Sequence, residues 1–366
     1  MLRSNVVGNR LLAIIAFVLA VAALKASYPV TLPLAAAALV VAAAWPIKPW
    51  LDRKLPPALS TAGTILVLVL IVVSFVLAVY FSLSRVFLAF VERQDQLRGL
   101  YEGYAGWAGE RGLPMAGGEG RSGQQIFGLA RAVLASVYDV LTYGTLVAVL
   151  VIFTIPAVPG LRDKVRERLQ ESERHELLGT VGEIADKVRS YLWTMTVTSL
   201  ITGVASWLFA LAVGLDLALV WGVLNFLLNY IPLVGNVVGI VPPTLYALIQ
   251  FQGWQMPLLV FVGYAVLQVG ISNVVEPLLQ GRSLSLSPVA VLVALSFWAW
   301  MWGIAGALLA VPLTAAIIIV CQHFRSTEWI ALLLSDKRGR GPVTTLRART
   351  HLLKGGGRDR QDRSKP

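Results

Sequence analysis

The sequence predicts an all-α polytopic integral membrane protein with about eight membrane segments, two of them long and interrupted. Three observations predict it. Of 366 residues, 57% are hydrophobic and only 14% charged, against roughly a quarter charged in an average soluble domain. Charges are missing from long stretches: Lys25 is the one charge between Leu11 and Ala44, and there is none from Leu55 to Tyr80 or from Leu217 to Val275. Finally, apolar runs recur down the chain at lengths near the roughly 20 residues that cross a bilayer.

The runs are 11–24, 30–45, 62–89, 133–155, 191–213, 217–250, 257–275 and 288–322. Arg3 and Arg10 before the first give it the layout of a signal peptide, but the second follows at once, so the first reads as a retained, slightly short helix. Five regions follow. Residues 1–60 form a helical hairpin and a cytoplasmic loop. Residues 61–157 hold two membrane segments around an external, Gly-rich polar insert at 91–131. Residues 158–190 form a charged cytoplasmic stretch, whose Gly- and Pro-free run 161–178 suggests an amphipathic surface helix. Residues 191–323 form the transport region, and 324–366 a basic, largely disordered tail.

The orientation rests on Lys and Arg in short loops. Arg3, Arg10, Lys48, Arg53 and Lys54 place the N-terminus and the second loop inside. The tail places the C-terminus there too: 325–366 carries eleven Lys/Arg and four Asp/Glu, most of the net charge of +11. Those charges fit anionic lipid, and no aromatic-interleaved basic motif points to nucleic acid. The lone cysteine, Cys321, sits in an apolar run and reads as a small buried side chain.

Two runs exceed one straight span. Residues 217–250 break at Ile231-Pro232-Leu233-Val234-Gly235, and 288–322 break around Gly303 and Gly306, before Pro312. Each is either one kinked helix or a hairpin of two short ones. An echo, Val241-Pro242-Pro243-Thr244 against Val311-Pro312-Leu313-Thr314, favours paired hairpins, and Gly/Pro-interrupted segments in two halves point to a transporter's binding region. Trp298, Trp300 and Trp302 cluster at the second break, as residues do where a chain meets headgroups.

The polar residues in these runs are the candidate site. Asn225 and Asn229 share a helix face before the first break, next to Tyr230 and Pro232; Gly235, Asn236 and Gly239 follow. They either line a solute path or bind helices together. Gln268, Ser272 and Glu276 recur every fourth residue, with Asn273 beside them and Arg282 beyond. A carboxylate in a membrane segment is a candidate for exchanging a proton or binding a cation; the alternative is an interfacial Glu276 paired with Arg282. Thr194, Thr198 and Thr202 read as a helix-packing face. The histidines are dispersed, and there is no P-loop, nucleophile elbow or paired mid-membrane aspartate, so neither an enzyme nor a cofactor or metal is expected.

Asn229-Tyr230-Ile231-Pro232-Leu233-Val234-Gly235 with Gly239 and Pro242 resembles a signature of the autoinducer-2 exporter family, the PerM-like permeases. So do Val275-Glu276-Pro277-Leu278-Leu279-Gln280-Gly281-Arg282 with Leu286-Ser287-Pro288, the stretch from Trp298 to Pro312, and Pro46-Ile47-Lys48-Pro49-Trp50-Leu51. Asn236 stands where the family usually has proline, and Ala299 where glycine is frequent. The resemblance implies a multi-span permease of the bacterial inner membrane, homo-oligomeric, exporting a small polar solute such as autoinducer-2. Other members imply sodium or lithium ion/proton antiport. A scaffold that transports nothing and recruits partners through its charged stretch or tail is the third expectation.

Overall fold

The computed structural model describes residues 2–44, 46–93, 95, 96, 99, 103, 121–232, 234–251, 253–280 and 287–323. Most of the polar insert, Arg282 and the basic tail lie outside the described residues. The elements are α1 (Leu2–Ala26), α2 (Tyr28–Ala44), α3 (Ile47–Asp52), α4 (Pro57–Glu92), α5 (Arg121–Arg168), α6 (Glu171–Ala212), α7 (Ala218–Leu228), α8 (Val234–Val238), α9 (Val241–Gln250), α10 (Gln255–Gly270), a π turn (Ile271–Val275), α11 (Glu276–Gln280) and α12 (Pro288–His323).

Burial separates protein-facing from lipid-facing stripes. On α4, Ser60, Thr64, Leu68 and Val72, four residues apart, are buried, while Leu66, Leu70 and Ile71 are more than half exposed. Such a patch is a liability in water and the ordinary outer face of a membrane helix. Lipid is as apolar as leucine, so close packing and hydrogen bonds hold these helices together. A close backbone approach joins α6 and α7: a Cβ at Gly203 would stand 2.9 Å from the Gly222 carbonyl oxygen, and one at Gly222 2.8 Å from that of Gly203.

By length and apolarity five helices can cross a membrane: Pro57–Glu92, Leu141–Arg168, Glu173–Ala212, Gln255–Leu279 and Val289–Gln322. Ile14–Ala26 and Tyr28–Ala43 qualify as a pair bent by 88°. Among the described residues that makes five spans, or six with the bent pair, against about eight apolar runs in the sequence, and Val289–Gln322 passes on length although its backbone breaks at Trp302 and Gly303. The expected surface helix over 161–178 is also absent. The chain breaks at Leu169–Gln170, and the charged residues extend α5 and α6 beyond their apolar parts. Lys, Arg, Glu and Leu are good helix formers, so neither helix needs to stop where its apolar stretch does.

The run 217–250 is a hairpin. Gln250 Nε2 donates to the Gly214 carbonyl at 2.7 Å, and the Asp216 N–H donates to Gln250 Oε1 at 2.8 Å. The two ends therefore lie side by side. Arg93 at the end of α4 clamps this mouth through Asp216 at 2.8 Å. The limbs α7 and α9 have 11 and 10 residues, about 15 Å each, half of a roughly 30 Å hydrocarbon core.

The run 288–322 also folds back. Trp298 Nε1 donates to Thr314 Oγ1 at 3.1 Å; a continuous helix would hold these residues about 24 Å apart. The reversal falls at Trp302 (φ −129°, ψ 18°) and Gly303 (φ 64°, ψ −146°), the latter a conformation essentially reserved for glycine. The hairpins touch: Ile231 of the first shares a buried cluster with Leu32, Trp298 and Trp302.

This arrangement predicts a labelling result. In a Cys321→Ser background, Asp216→Cys and Trp254→Cys should react with an impermeant maleimide from the same face of the membrane. Labelling from opposite faces would restore the single-span reading.

Candidate functional site

The first hairpin, α6 and the α10–π turn enclose a network of amides and hydroxyls. The hairpin can turn because Pro232 has no N–H and disfavours helical backbone in the residue before it, so α7 ends at Leu228. Gly235 and Gly239 let the limbs meet. A Cβ at Gly235 would lie 1.9 Å from the Leu228 carbonyl oxygen, and one at Gly239 2.3 Å from Asn225 Oδ1.

Asn225 is at the centre, fully buried. Its Nδ2 donates to the Trp221 carbonyl at 3.0 Å and across the hairpin to that of Gly239 at 3.3 Å. Its Oδ1 accepts from Gln268 Nε2 at 2.7 Å. Gln268 is 3% exposed, and its Oε1 has no partner among the described residues. One turn of α7 further on, Asn229 Nδ2 donates to Ser199 Oγ at 3.1 Å and Thr198 Oγ1 at 3.4 Å. Tyr230 donates to Thr196 Oγ1 at 3.0 Å, and Asn236 to Ser272 Oγ.

The threonine stripe of α6 packs against α7 and bonds to it. Thr198 and Thr202 donate their hydroxyl protons to carbonyls four residues back, at 3.0 and 2.8 Å. With those donors spent, their oxygens remain as acceptors, and Asn229 uses that of Thr198. A four-residue spacing of small hydroxyl residues is also what helix packing produces, so spacing alone does not reveal this.

The π turn follows Gln268 directly. Pro277 has no N–H for the Asn273 carbonyl and its ring crowds that oxygen, so the chain widens and the Glu276 N–H bonds to Ile271. Single π turns of this kind frequently occur at functional sites. Ser272 meets the hairpin, whereas Asn273 is exposed and its Nδ2 returns to the Val269 carbonyl at 2.9 Å. The structure thus places Asn273 away from the network. Glu276 lies beyond the turn, half-buried, within electrostatic reach of Tyr191, whose hydroxyl is buried with no hydrogen-bond partner among the described residues. Tyr191, Met195 and Val311 form an apolar cluster that also takes in Tyr230 and Val291, so both hairpins close on α6 there. Gly303, Gly306 and Pro312 belong to the second hairpin: Gly303 reverses the chain, Gly306 packs against the Trp298 carbonyl, and Pro312 is buried in the returning limb.

An all-helical, multi-pass membrane protein with broken, polar helices meeting inside it has the architecture of a transporter. The chain belongs to the AI-2E transporter family, whose model matches residues 12–326. It is 37% identical over 186 residues to the AI-2 transport protein TqsA of Escherichia coli K12, covering 51% of this chain and 53% of that protein. It is 30% identical over 218 residues to a putative transport protein of Haemophilus influenzae, covering 58% and 61% respectively. A sodium-lithium/proton antiporter of Halobacillus andaensis is 25% identical over 162 residues, covering 43% of this chain and 45% of that protein. The chain spans little more than half the length of the curated relatives it matches.

Proposed function

We propose that the protein exports a small, uncharged, polar solute of the autoinducer-2 kind from the bacterial cytoplasm across the inner membrane. The supporting observation is the chemistry of the buried network. Asn225, Asn229, Asn236, Gln268, Thr198, Ser199 and Ser272 offer only amides and hydroxyls. A charged solute there would have to leave water without a countercharge in that network, whereas hydroxyls and carbonyls can exchange hydrogen bonds one for one. Gln268 Oε1 is the acceptor left open for a solute O–H. Asn225, Asn229, Tyr230, Asn236 and Gln268 line the path in this reading, with Pro232, Gly235 and Gly239 shaping it. In this reading both termini are cytoplasmic, which the basic loops and tail favour, and the family resemblance adds a homo-oligomer.

Proteoliposomes loaded with autoinducer-2 test this. The wild type should release it, and Gln268→Leu should lose about tenfold or more in rate; because it also removes the Nε2 donor to the buried Asn225 Oδ1, it should be about 1–3 kcal/mol less stable than wild type. Unchanged release by Gln268→Leu would sink the assignment.

A second reading, monovalent cation/proton antiport, draws on Glu276 beside Tyr191 and on the Halobacillus relative. A pH dye in the same vesicles separates the two. Sodium-driven proton movement that disappears in Glu276→Gln and ignores autoinducer-2 would favour antiport. Vesicles that move neither would favour the scaffold.

A further inference from the structure

The second hairpin has an outer face that the transport reading leaves unused. Leu292, Val293, Ser296, Phe297 and Trp300 line an open groove of about 490 Å³ on its first limb. Leu292, Val293 and Trp300 are each more than half exposed. At the Trp300 end stands Lys25, whose ammonium lies 3.6 Å from the centroid of the Trp300 ring.

Three features make this more than another lipid-facing surface. Lys25 is the one charge between Leu11 and Ala44, and a lone ammonium at the foot of a membrane helix belongs at headgroup level. The aromatic residues around it mark that level independently. Tyr28 packs on Tyr143 at 6.0 Å, and Tyr138, one turn earlier on α5, is exposed; Tyr and Trp concentrate at the membrane interface. Lastly, the ammonium's partner is a ring face, which accepts no hydrogen bond from its three N–H groups in the ordinary sense. No carboxylate among the described residues forms an ion pair with it; Asp139, one turn from Tyr143, does not. The bend of 88° between α1 and α2 falls two residues past Lys25, leaving the ammonium at a corner rather than between packed helices.

We propose that this corner binds an anionic phospholipid. The Lys25 ammonium donates to a phosphate oxygen, and one acyl chain runs along Leu292, Val293 and Phe297. Trp300 holds Lys25 in place and closes the top of the groove. The lipid would brace the second hairpin from outside, against α1. The proposal does not depend on which solute the protein moves.

Native mass spectrometry of protein released from nanodiscs tests it, with phosphatidylcholine alone or mixed with phosphatidylglycerol. The wild type should retain phosphatidylglycerol in preference to phosphatidylcholine. Lys25→Gln should lower its retention roughly fivefold, the effect of one basic residue near an anionic surface, and Lys25→Arg should preserve it. Ser296→Trp keeps the charge but fills the groove, so it should lose the lipid as well; this second variant decides the matter if Lys25→Gln fails to give a monodisperse protein. Equal retention of phosphatidylglycerol by wild type and Lys25→Gln, or equal retention of both lipids by the wild type, would overturn the proposal. So would a disulfide between protomers through Ser296→Cys in a Cys321→Ser background, because the groove would then face a second copy.

Discussion

An Asn225→Leu variant is expected to lose transport and much of its stability. Leucine keeps the branched heavy-atom skeleton, though it is bulkier, and removes the amide that joins both limbs of the first hairpin to α10. The Gly239 carbonyl and Gln268 Nε2 would each lose a partner inside a site that water does not reach. Each such group costs about 1–3 kcal/mol, so the variant should be about 2–6 kcal/mol less stable. The measurement is a thermal melt in detergent beside release of autoinducer-2 from vesicles. The comparison with Gln268→Leu carries the information. Both variants break the 2.7 Å Asn225–Gln268 bond, but only Asn225→Leu also uncouples the limbs. Equal melting points for the two would mean that the link across the hairpin contributes little.

Gly303→Ala is expected to have the second large effect, in the other hairpin. At φ 64° and ψ −146° a Cβ makes the backbone strained, at about 1–3 kcal/mol. If the reversal opens, Trp298 and Trp302, each under a tenth exposed, leave their cluster. Tryptophan emission should shift to the red and the melting point should fall. Gly160→Ala is the control. That glycine is helical, with nothing within 4 Å of an added Cβ, so alanine there should be neutral or stabilising. A Gly303→Ala variant that behaves like Gly160→Ala would show that the chain does not need this reversal.

Both experiments address the two places where the sequence left a choice open. The membrane class was legible because the bilayer sets a length scale and the runs met it. Pro232, Gly235 and Gly303 marked the breaks for equally local reasons: a missing N–H and backbone freedom are properties of single residues. Most of the polar stripe was legible as well, since an asparagine or glutamine in an apolar run must find partners in protein or water. Asn225 and Gln268 do meet, and Asn229 and Asn236 find hydroxyl partners on α6 and the π turn. Asn273, equally polar and equally placed in the run, bonds to its own helix and faces outward. Nothing local distinguishes it from Gln268.

By itself, then, the sequence determined that the chain is a multi-pass membrane protein, where its helices break, and which family it resembles. The tertiary structure decided what the breaks do. A kinked span and a hairpin have the same hydropathy, because an apolar side chain is equally at ease against lipid and against protein. They differ in whether residues 14 to 36 apart in sequence touch, as Asn225 and Gly239, Trp298 and Thr314, and Gly214 and Gln250 do. The same holds for the Thr194–Thr198–Thr202 stripe. Its spacing defines a face, but only the tertiary structure brings Asn229 opposite Thr198 and Ser199 on it.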